Sequence, residues 1–190
     1  MADQSASREP GPRTARAPRR ITAAYLRRAA LHYLERYSVP AAQLRKVLAR
    51  KIAVSCRHHG EEPSLHTALL DEVVAQCVAL QLVDDRRFAE ARAATLRRKG
   101  LSGRAVAGKL AAKGVERELA AEMSDTGTDT ELAAARIAAR RKRLGRWRRR
   151  DEAQNDPASR QRDLAVLARL GFSFAVARTV LDEEEAAEVE

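Results

Sequence analysis

The sequence of 190 residues predicts an all-α fold, and three observations lead to that prediction. No proline occurs between residues 64 and 156, so over 93 residues nothing forces a helix to break. Alanine, leucine and arginine, all strong helix formers, dominate the same stretch. No run alternates β-branched and polar residues as a half-buried strand would. Helices alone are therefore expected between the two ends of the chain.

The first three helices are predicted from the spacing of apolar side chains. Apolar and aromatic residues recur at helical spacing from 22 to 37, and again from 40 to about 57. Proline is favoured in the first turn of a helix, so Pro63 marks the start of the third helix. Its expected buried stripe consists of Leu65, Leu69, Val73, Cys77 and Leu80.

Capping residues delimit the next three helices. Asp84 has the side chain of a good N-cap and opens the fourth helix, which ends at Gly100. Ser102 caps the fifth helix in the same way, and that helix ends at Gly114. A short sixth helix is expected from about residue 116 to 123, because its apolar residues again lie on one face.

The last three helices follow from similar signals. Thr128 and Glu131 have the spacing of a capping box, which predicts a long seventh helix reaching about residue 144. Asp156, followed by a proline, opens the eighth helix, and Gly171 ends it. The ninth helix is expected from residue 173 to about 182.

Two segments 57 residues apart share a pattern of helix, glycine stop and short amphipathic helix. The matching pairs are Leu110 and Leu167, Gly114 and Gly171, Val115 and Phe172, Leu119 and Val176, and Met123 and Val180. A weaker echo lies at residues 44–52. These matches predict three tandem three-helix repeats in an elongated, curved array, at residues 22–83, 84–127 and 128–182. Residues 1–21 are expected to form a disordered basic tail rich in proline and arginine, and residues 183–190 an acidic tail.

Three separated motifs of this chain resemble the RecX family of bacterial regulatory proteins. They are Leu82-Val-Asp84-Asp85-Arg-Arg-Phe88, then Lys99-Gly100 with Leu110-Ala-Ala-Lys-Gly114-Val115, and finally Leu170-Gly171-Phe172-Ser173-Phe174. The resemblance covers about residues 22–182 and implies the same three repeats. Their defining positions here are Asp84, Asp85, Phe88, Gly100, Leu110, Gly114, Leu167, Gly171 and Phe172. Gln81 stands where the family often has a glycine, and the stretch from Ser55 to His59 is unusual.

The resemblance also implies a function, that of a modulator of the RecA recombinase, usually an inhibitor. Such a protein lies in the helical groove of the RecA filament on single-stranded DNA and blocks the filament's growth or activity. The partner implied is therefore the RecA filament, while contact with single-stranded DNA is weak or indirect.

Basic residues carry the strongest functional signal in the sequence itself. The chain has 36 Lys and Arg against 26 Asp and Glu, a formal net charge of +10. One cluster flanks the turn at Gly100 and comprises Arg92, Arg97, Arg98, Lys99, Arg104 and Lys109. The other surrounds Trp147, includes no acid, and comprises Arg136, Arg140, Arg141, Lys142, Arg143, Arg146, Arg148, Arg149 and Arg150. If the repeats are equivalent in space, the two clusters line one face, which predicts an anionic partner.

Other interpretations of the basic residues stay open at this stage. A charge run is usually a solvated helical face. A basic helical protein can also bind naked nucleic acid in helix–turn–helix style without a protein partner. Binding to an acidic protein surface is a further alternative. Trp147 either stacks on a base or an arginine, or plugs a seam between repeats.

The paired carboxylates of Asp84 and Asp85 do not predict catalysis. Adjacent residues on a helix point about 100° apart, so the two groups cannot grip one substrate atom together. We expect them instead to cap the helix and to pair with Arg86 or Arg87. Because no nucleophile with a base and no phosphate-binding glycine motif is evident either, the protein is not expected to be an enzyme.

Cysteine and histidine residues do not have the spacing of a metal site. Cys56, His58, His59 and Cys77 form no C-x-x-C or H-x-x-x-H pattern, and Cys77 lies on an apolar stripe. A buried thiol beside a polar helix end is the expected structure, without metal or cofactor. No segment is apolar enough to span a membrane, so a cytoplasmic protein is expected. The small apolar core and the high charge favour a monomer.

Overall fold

The computed structural model describes residues 17–125, 127–148 and 156–183. In these ranges all regular structure is helical, with no strand, which confirms the predicted all-α fold. The α-helices are α1 (Ala23–Leu34), α2 (Ala41–His59), α3 (Thr67–Ala79), α4 (Asp85–Arg97), α5 (Gly103–Ala112), α6 (Arg117–Ser124), α7 (Gly127–Lys142), α8 (Pro157–Arg169) and α9 (Phe174–Asp182). Two short 3-10 helices, Pro63–His66 and Gly145–Trp147, precede α3 and follow α7.

The buried apolar side chains of the described residues form three separate clusters. One lies among α1, α2 and α3, the second among α4, α5 and α6, and the third among α7, α8 and α9. We call these groups of helices the first, second and third bundles. Each bundle thus has a small core of its own. The repeat boundaries and the curved, elongated shape stay predictions.

The start of α3 differs from the sequence prediction. Pro63–His66 forms a 3-10 helix, and the α-helix begins only at Thr67. The buried face therefore contains Leu70, together with Val73 and Cys77 as expected. Leu65 and Leu80 are exposed by 74% and 69%, because one precedes the α-helix and the other is its C-cap.

The chain just before α1 also differs from expectation. Residues 1–16 and 184–190 lie outside the described residues, as does most of each predicted tail. Residues 18–21 were assigned to the disordered N-terminal tail, but they pack along the end of α2. Ser55 donates to the carbonyl of Arg19 at 2.8 Å, His59 Nε2 donates to that of Pro18 at 2.9 Å, and Ile21 is buried. The prediction of a tail reaching residue 21 was therefore too long.

Polar contacts join the first bundle to the second. Pro40, the N-cap of α2, offers no side-chain acceptor, and Asp85 supplies one by accepting a 2.8 Å hydrogen bond from the Ala41 amide. The expected pairing of Asp85 with a neighbouring arginine was wrong, because Arg86 instead forms a bidentate pair with Glu122 at 2.7 and 2.9 Å. Asp85 is thus a cross-bundle helix cap.

A buried serine joins the second bundle to the third. Ser102 caps α5 as predicted, accepting from the Ala105 amide at 3.2 Å. Its hydroxyl also donates to the carbonyl of Leu170 at 2.7 Å, beyond the last residue of α8. One side chain therefore satisfies backbone groups at two helix ends that belong to different bundles.

The glycines predicted to end helices also lie where bundles approach each other. A Cβ on Gly114 would come within 2.7 Å of Ala42, and one on Gly171 within 2.6 Å of Ser102. At Gly100 a Cβ would meet the Ala138 amide nitrogen at 2.9 Å and Ile137 at 2.8 Å. Because the obstruction at Gly100 includes backbone, the end of α4 can lie against α7 only without a side chain there.

Gly100→Ala is expected to lower the free energy of unfolding by about 2–4 kcal/mol, since φ is +75° and the new methyl group has no room. Gly108→Ala is the matched control, because Gly108 lies within α5 with open space around it. This substitution should raise the free energy of unfolding by about 0.5–1 kcal/mol. Urea-induced unfolding measures both. Equal effects of the two substitutions would contradict the close approach of α4 and α7.

Gln81 accounts for one departure from the family pattern. It has φ +55°, and the Leu82 amide after it donates to the Cys77 carbonyl at 3.0 Å. This is the left-handed residue of a helix C-terminal motif, a position that favours glycine. Where the family pattern often has a glycine in the turn after α3, this chain has Gln81 in the same left-handed conformation.

Candidate functional site

A basic groove lies between the second and third bundles. Its cavity of about 420 Å³ has an apolar floor that includes Leu101, Ala138 and Leu170. Its charged lining consists of five bases and no acid: Lys99, Lys109, Arg141, Lys142 and Arg169. Such a lining attracts anions, because each base adds to a positive potential that the apolar floor does not screen as water would.

The helix ends explain how the five bases come together. Lys99 follows α4, Lys109 lies in the last turn of α5, Arg141 and Lys142 lie in the last turn of α7, and Arg169 ends α8. Arg141 donates to the Lys99 carbonyl at 2.7 Å, which joins the two helix ends across the bundles. This contact depends on the close approach of α4 and α7 at Gly100. The groove thus unites residues from both predicted basic clusters.

Arg169 belongs to the groove, although the sequence argument did not select it. It is an isolated base in α8, outside either charge run. The only local signal is its position at a helix end, two residues before Gly171, and this corresponds to the position of Ala112 before Gly114 in the internal repeat. A base close to a helix-ending glycine is therefore the sequence feature that identifies Arg169.

Arg97 is nearly buried, although the sequence places it in the basic cluster that flanks Gly100. Its side chain is only 9% exposed, and its guanidinium donates to the Glu131 carboxylate and to the carbonyl of Ser124. Glu131 also accepts from the Gly103 amide at 3.1 Å. Arg97 is therefore a structural residue that joins the end of α4 to α6 and α7, and Glu131 extends this network to the start of α5.

The prediction of a capping box at Thr128 and Glu131 was wrong, because the Glu131 carboxylate pairs with Arg97. The helix begins at Gly127, so Thr128 lies inside α7. The Glu131 carboxylate is turned toward Arg97 and Gly103, in the second bundle, and does not cap its own helix. The contacts of Glu131 with Arg97 and Gly103 thus replace the predicted contact with the start of its own helix.

Several bases around Trp147 are paired with acids that are distant in sequence. Arg136 pairs with Glu183 at 2.6 Å, and this guanidinium holds the pKa of the Glu183 carboxyl below its ordinary value. Arg146 lies 3.9 Å from the same carboxylate. Arg148 pairs at 2.6 Å with the buried Asp163, which also accepts from the Gly145 amide. This half of the cluster mainly holds the third bundle together.

The remaining predicted bases are more accessible, with exposed side chains at Arg98, Arg104, Arg140 and Arg143 and a half-buried one at Arg92. They do not line the groove with the five bases named above. Arg149 and Arg150 lie outside the described residues. The set of bases that the groove brings together is therefore smaller than the two clusters that the sequence defines.

Trp147 has a place in the third bundle. It is partly buried against that bundle's apolar core. The Arg146 guanidinium carbon lies 4.3 Å from the centre of its ring, at cation–π distance. Of the alternatives left open by the sequence, stacking on an arginine is the one observed.

The helices in the described ranges include none that is both long and apolar enough to cross a membrane. Both cysteines are buried, as expected for Cys77 on its apolar stripe. The rings of His58 and His59 meet edge to face, with their centres 4.8 Å apart.

Comparisons with known proteins agree with the resemblance in the motifs. A family model described as the second three-helix domain of RecX matches residues 84–123, which include α4, α5 and all of α6 except its last residue, Ser124. A Regulatory protein RecX of Myxococcus xanthus (strain DK1622) is 41% identical over 181 residues, covering 94% of each chain. That of Agrobacterium fabrum (strain C58) is 32% identical over 158 residues, covering 83% of this chain and 82% of its own.

A solved structure shares the fold. The crystal structure of RecX from Lactobacillus salivarius superimposes with a TM-score of 0.65 at 19% sequence identity, covering 84% of this chain and 96% of that one. The identity and high coverage of both sequence relatives lead to one conclusion: the chain belongs to the RecX family of regulatory proteins.

Proposed function

We propose that this protein is a non-enzymatic regulator that binds in the groove of the RecA–single-stranded DNA filament. It inhibits the RecA ATPase, strand exchange and extension of the filament, and it acts in the cytoplasm as a monomer. The observation that carries this proposal is the acid-free groove between the second and third bundles, in which bases of both clusters meet. Its relatives are named regulatory proteins, which supports a regulatory role.

The groove suits a filament better than a small ligand. Lys99, Lys109 and Lys142 are exposed at its rim, so their ammonium groups are accessible to the surface of a large partner. A filament repeats its anionic groups along its length. A protein that contacts several of them at once gains avidity without any strong single contact. Occupying the groove of the filament then obstructs the addition of further RecA subunits.

A second candidate is a helical nucleic-acid-binding protein that acts without RecA. The same five bases favour it, because phosphates of a naked strand are also anions. It predicts tight binding to naked DNA that weakens by about 10³–10⁵ between roughly 50 and 200 mM salt if six to ten phosphates are contacted. A filament regulator should bind naked DNA only weakly at physiological salt.

The deciding experiment measures the single-stranded-DNA-dependent ATPase of RecA at about 150 mM salt. The protein is titrated from well below one molecule per RecA subunit, and its binding to the same DNA without RecA is measured in parallel. Loss of activity at substoichiometric protein, with weak binding to naked DNA, is the expected result. Inhibition that begins only when the protein saturates the DNA would overturn the proposal in favour of the second candidate.

A further inference from the structure

Three potential metal ligands converge in the first bundle, at a place that the basic groove does not involve. Cys56 lies in the last turn of α2, Glu61 follows the turn at Gly60, and His66 ends the 3-10 helix before α3. Their ligand atoms, a thiol sulfur, a carboxylate oxygen and an imidazole nitrogen, all lie within 4.8 Å of one another. Their spacing is Cys-x₄-Glu-x₄-His, which differs from the C-x-x-C and H-x-x-x-H patterns of standard zinc motifs.

The separations are close to those of a tetrahedral zinc site. Zn–S bonds of about 2.3 Å and Zn–N or Zn–O bonds of about 2.0–2.2 Å place two ligand atoms roughly 3.3–3.6 Å apart. His66 Nε2 lies 3.2 Å from Glu61 Oε2, at about this distance. The other pairs of ligand atoms lie within 4.8 Å of each other, and Glu61 and His66 are partly exposed, so their side chains have room to move.

The surroundings also suit a cation. Cys56 is almost fully buried, and the carboxylates of Glu61 and Glu62 place negative charge near it. A divalent ion would compensate this negative charge and displace the thiol proton into solvent, as metal binding to cysteine does. The second oxygen of Glu61, Oε1, is held at 3.0 Å by Arg20, which orients the carboxylate and leaves Oε2 toward His66.

We propose that Cys56, Glu61 and His66 bind one Zn²⁺ ion, with a solvent molecule as the fourth ligand. A thiolate, an imidazole and a carboxylate together favour zinc over calcium or magnesium, which take oxygen ligands only. The ion ties the end of α2 to the 3-10 helix. Through the contact of Glu61 with Arg20, it also fixes the chain segment that precedes α1. The site therefore stabilises the first bundle.

The test uses the full-length, tag-free, reduced protein after removal of metal. Zn²⁺ is titrated in competition with a chromophoric chelator, and Co²⁺ is used as a spectroscopic probe. We expect one zinc ion per chain, and a cobalt spectrum with a near-ultraviolet thiolate charge-transfer band and the visible bands of a four-coordinate ion. Absence of stoichiometric zinc binding, or a cobalt spectrum without the thiolate band, would overturn the proposal.

Substitutions locate the site. His66→Gln and Cys56→Ala should each weaken zinc binding by more than about 100-fold, because losing an outer-shell partner alone costs 10–100-fold. His58→Gln and Cys77→Ala are the matched controls and should bind zinc as the wild type does. The melting temperature without metal shows whether each variant folds. If Cys56→Ala does not fold, the zinc affinity of His66→Gln decides the test. Wild-type affinity in His66→Gln, or loss of binding in Cys77→Ala, would assign the metal elsewhere.

Discussion

The double substitution Lys109→Glu/Lys142→Glu is expected to raise the concentration needed for half-inhibition of the RecA ATPase by more than about tenfold. Both side chains are exposed and line the basic groove. Each reversal removes an attraction to an anionic partner and adds a repulsion. The ATPase titration described above measures the change at several salt concentrations, and the slope against salt should decrease because fewer counterions are released.

Lys46→Glu/Lys51→Glu is the matched control for this prediction. Both lysines are exposed on α2, in the first bundle, so the variant changes the net charge by the same amount away from the groove. We expect it to inhibit nearly as well as the wild type. Equal losses in the two variants would mean that overall charge, and not the groove, drives binding. No loss in the groove variant would refute the site itself.

Glu131→Ala is expected to lower the free energy of unfolding by about 3–5 kcal/mol. The substitution leaves the guanidinium of Arg97, which is only 9% exposed, without its carboxylate partner. It also removes the acceptor of the Gly103 amide at the start of α5. Both effects are desolvation costs, and a buried charge without a partner is the larger of the two. Urea-induced unfolding provides the measurement.

The control for this prediction is Glu122→Ala, which breaks the exposed pair with Arg86 on α4. Exposed pairs contribute little, so its unfolding midpoint should stay close to that of the wild type. The double variant Arg97→Met/Glu131→Leu should be more stable than Glu131→Ala, since it removes both buried charges. If Glu131→Ala and Glu122→Ala were equally stable, the pair at Arg97 would have no special role.

The features that the sequence predicted correctly are mostly local. The side chain of Asp84 accepts from the Arg87 amide at 2.9 Å, and that of Asp156 from Ser159 at 3.1 Å. Ser102 likewise caps α5. An N-cap contacts an amide only two or three residues along the chain, so residue type and position suffice to identify it. The same reasoning places the ends of α4 and α5 close to Gly100 and Gly114.

The features that the sequence did not predict depend on distant residues. Arg97 and Glu131 are 34 positions apart, and nothing in their neighbourhoods distinguishes them from exposed charges. The run around Trp147 contains no acid, but Asp163 and Glu183 approach it in the folded chain. A charge count along the sequence therefore overestimates how many bases are available to a partner. In the folded chain, only five bases line the groove.

The cross-bundle cap at Asp85 has a consequence for fragments of this protein. A chain that ended at residue 83 would retain every apolar side chain of the first core, from Ile21 to Val83. It would nevertheless lose the carboxylate that accepts from the Ala41 amide, so the first turn of α2 would be left to water. The stability of such a fragment thus depends on one hydrogen-bond acceptor as well as on its core.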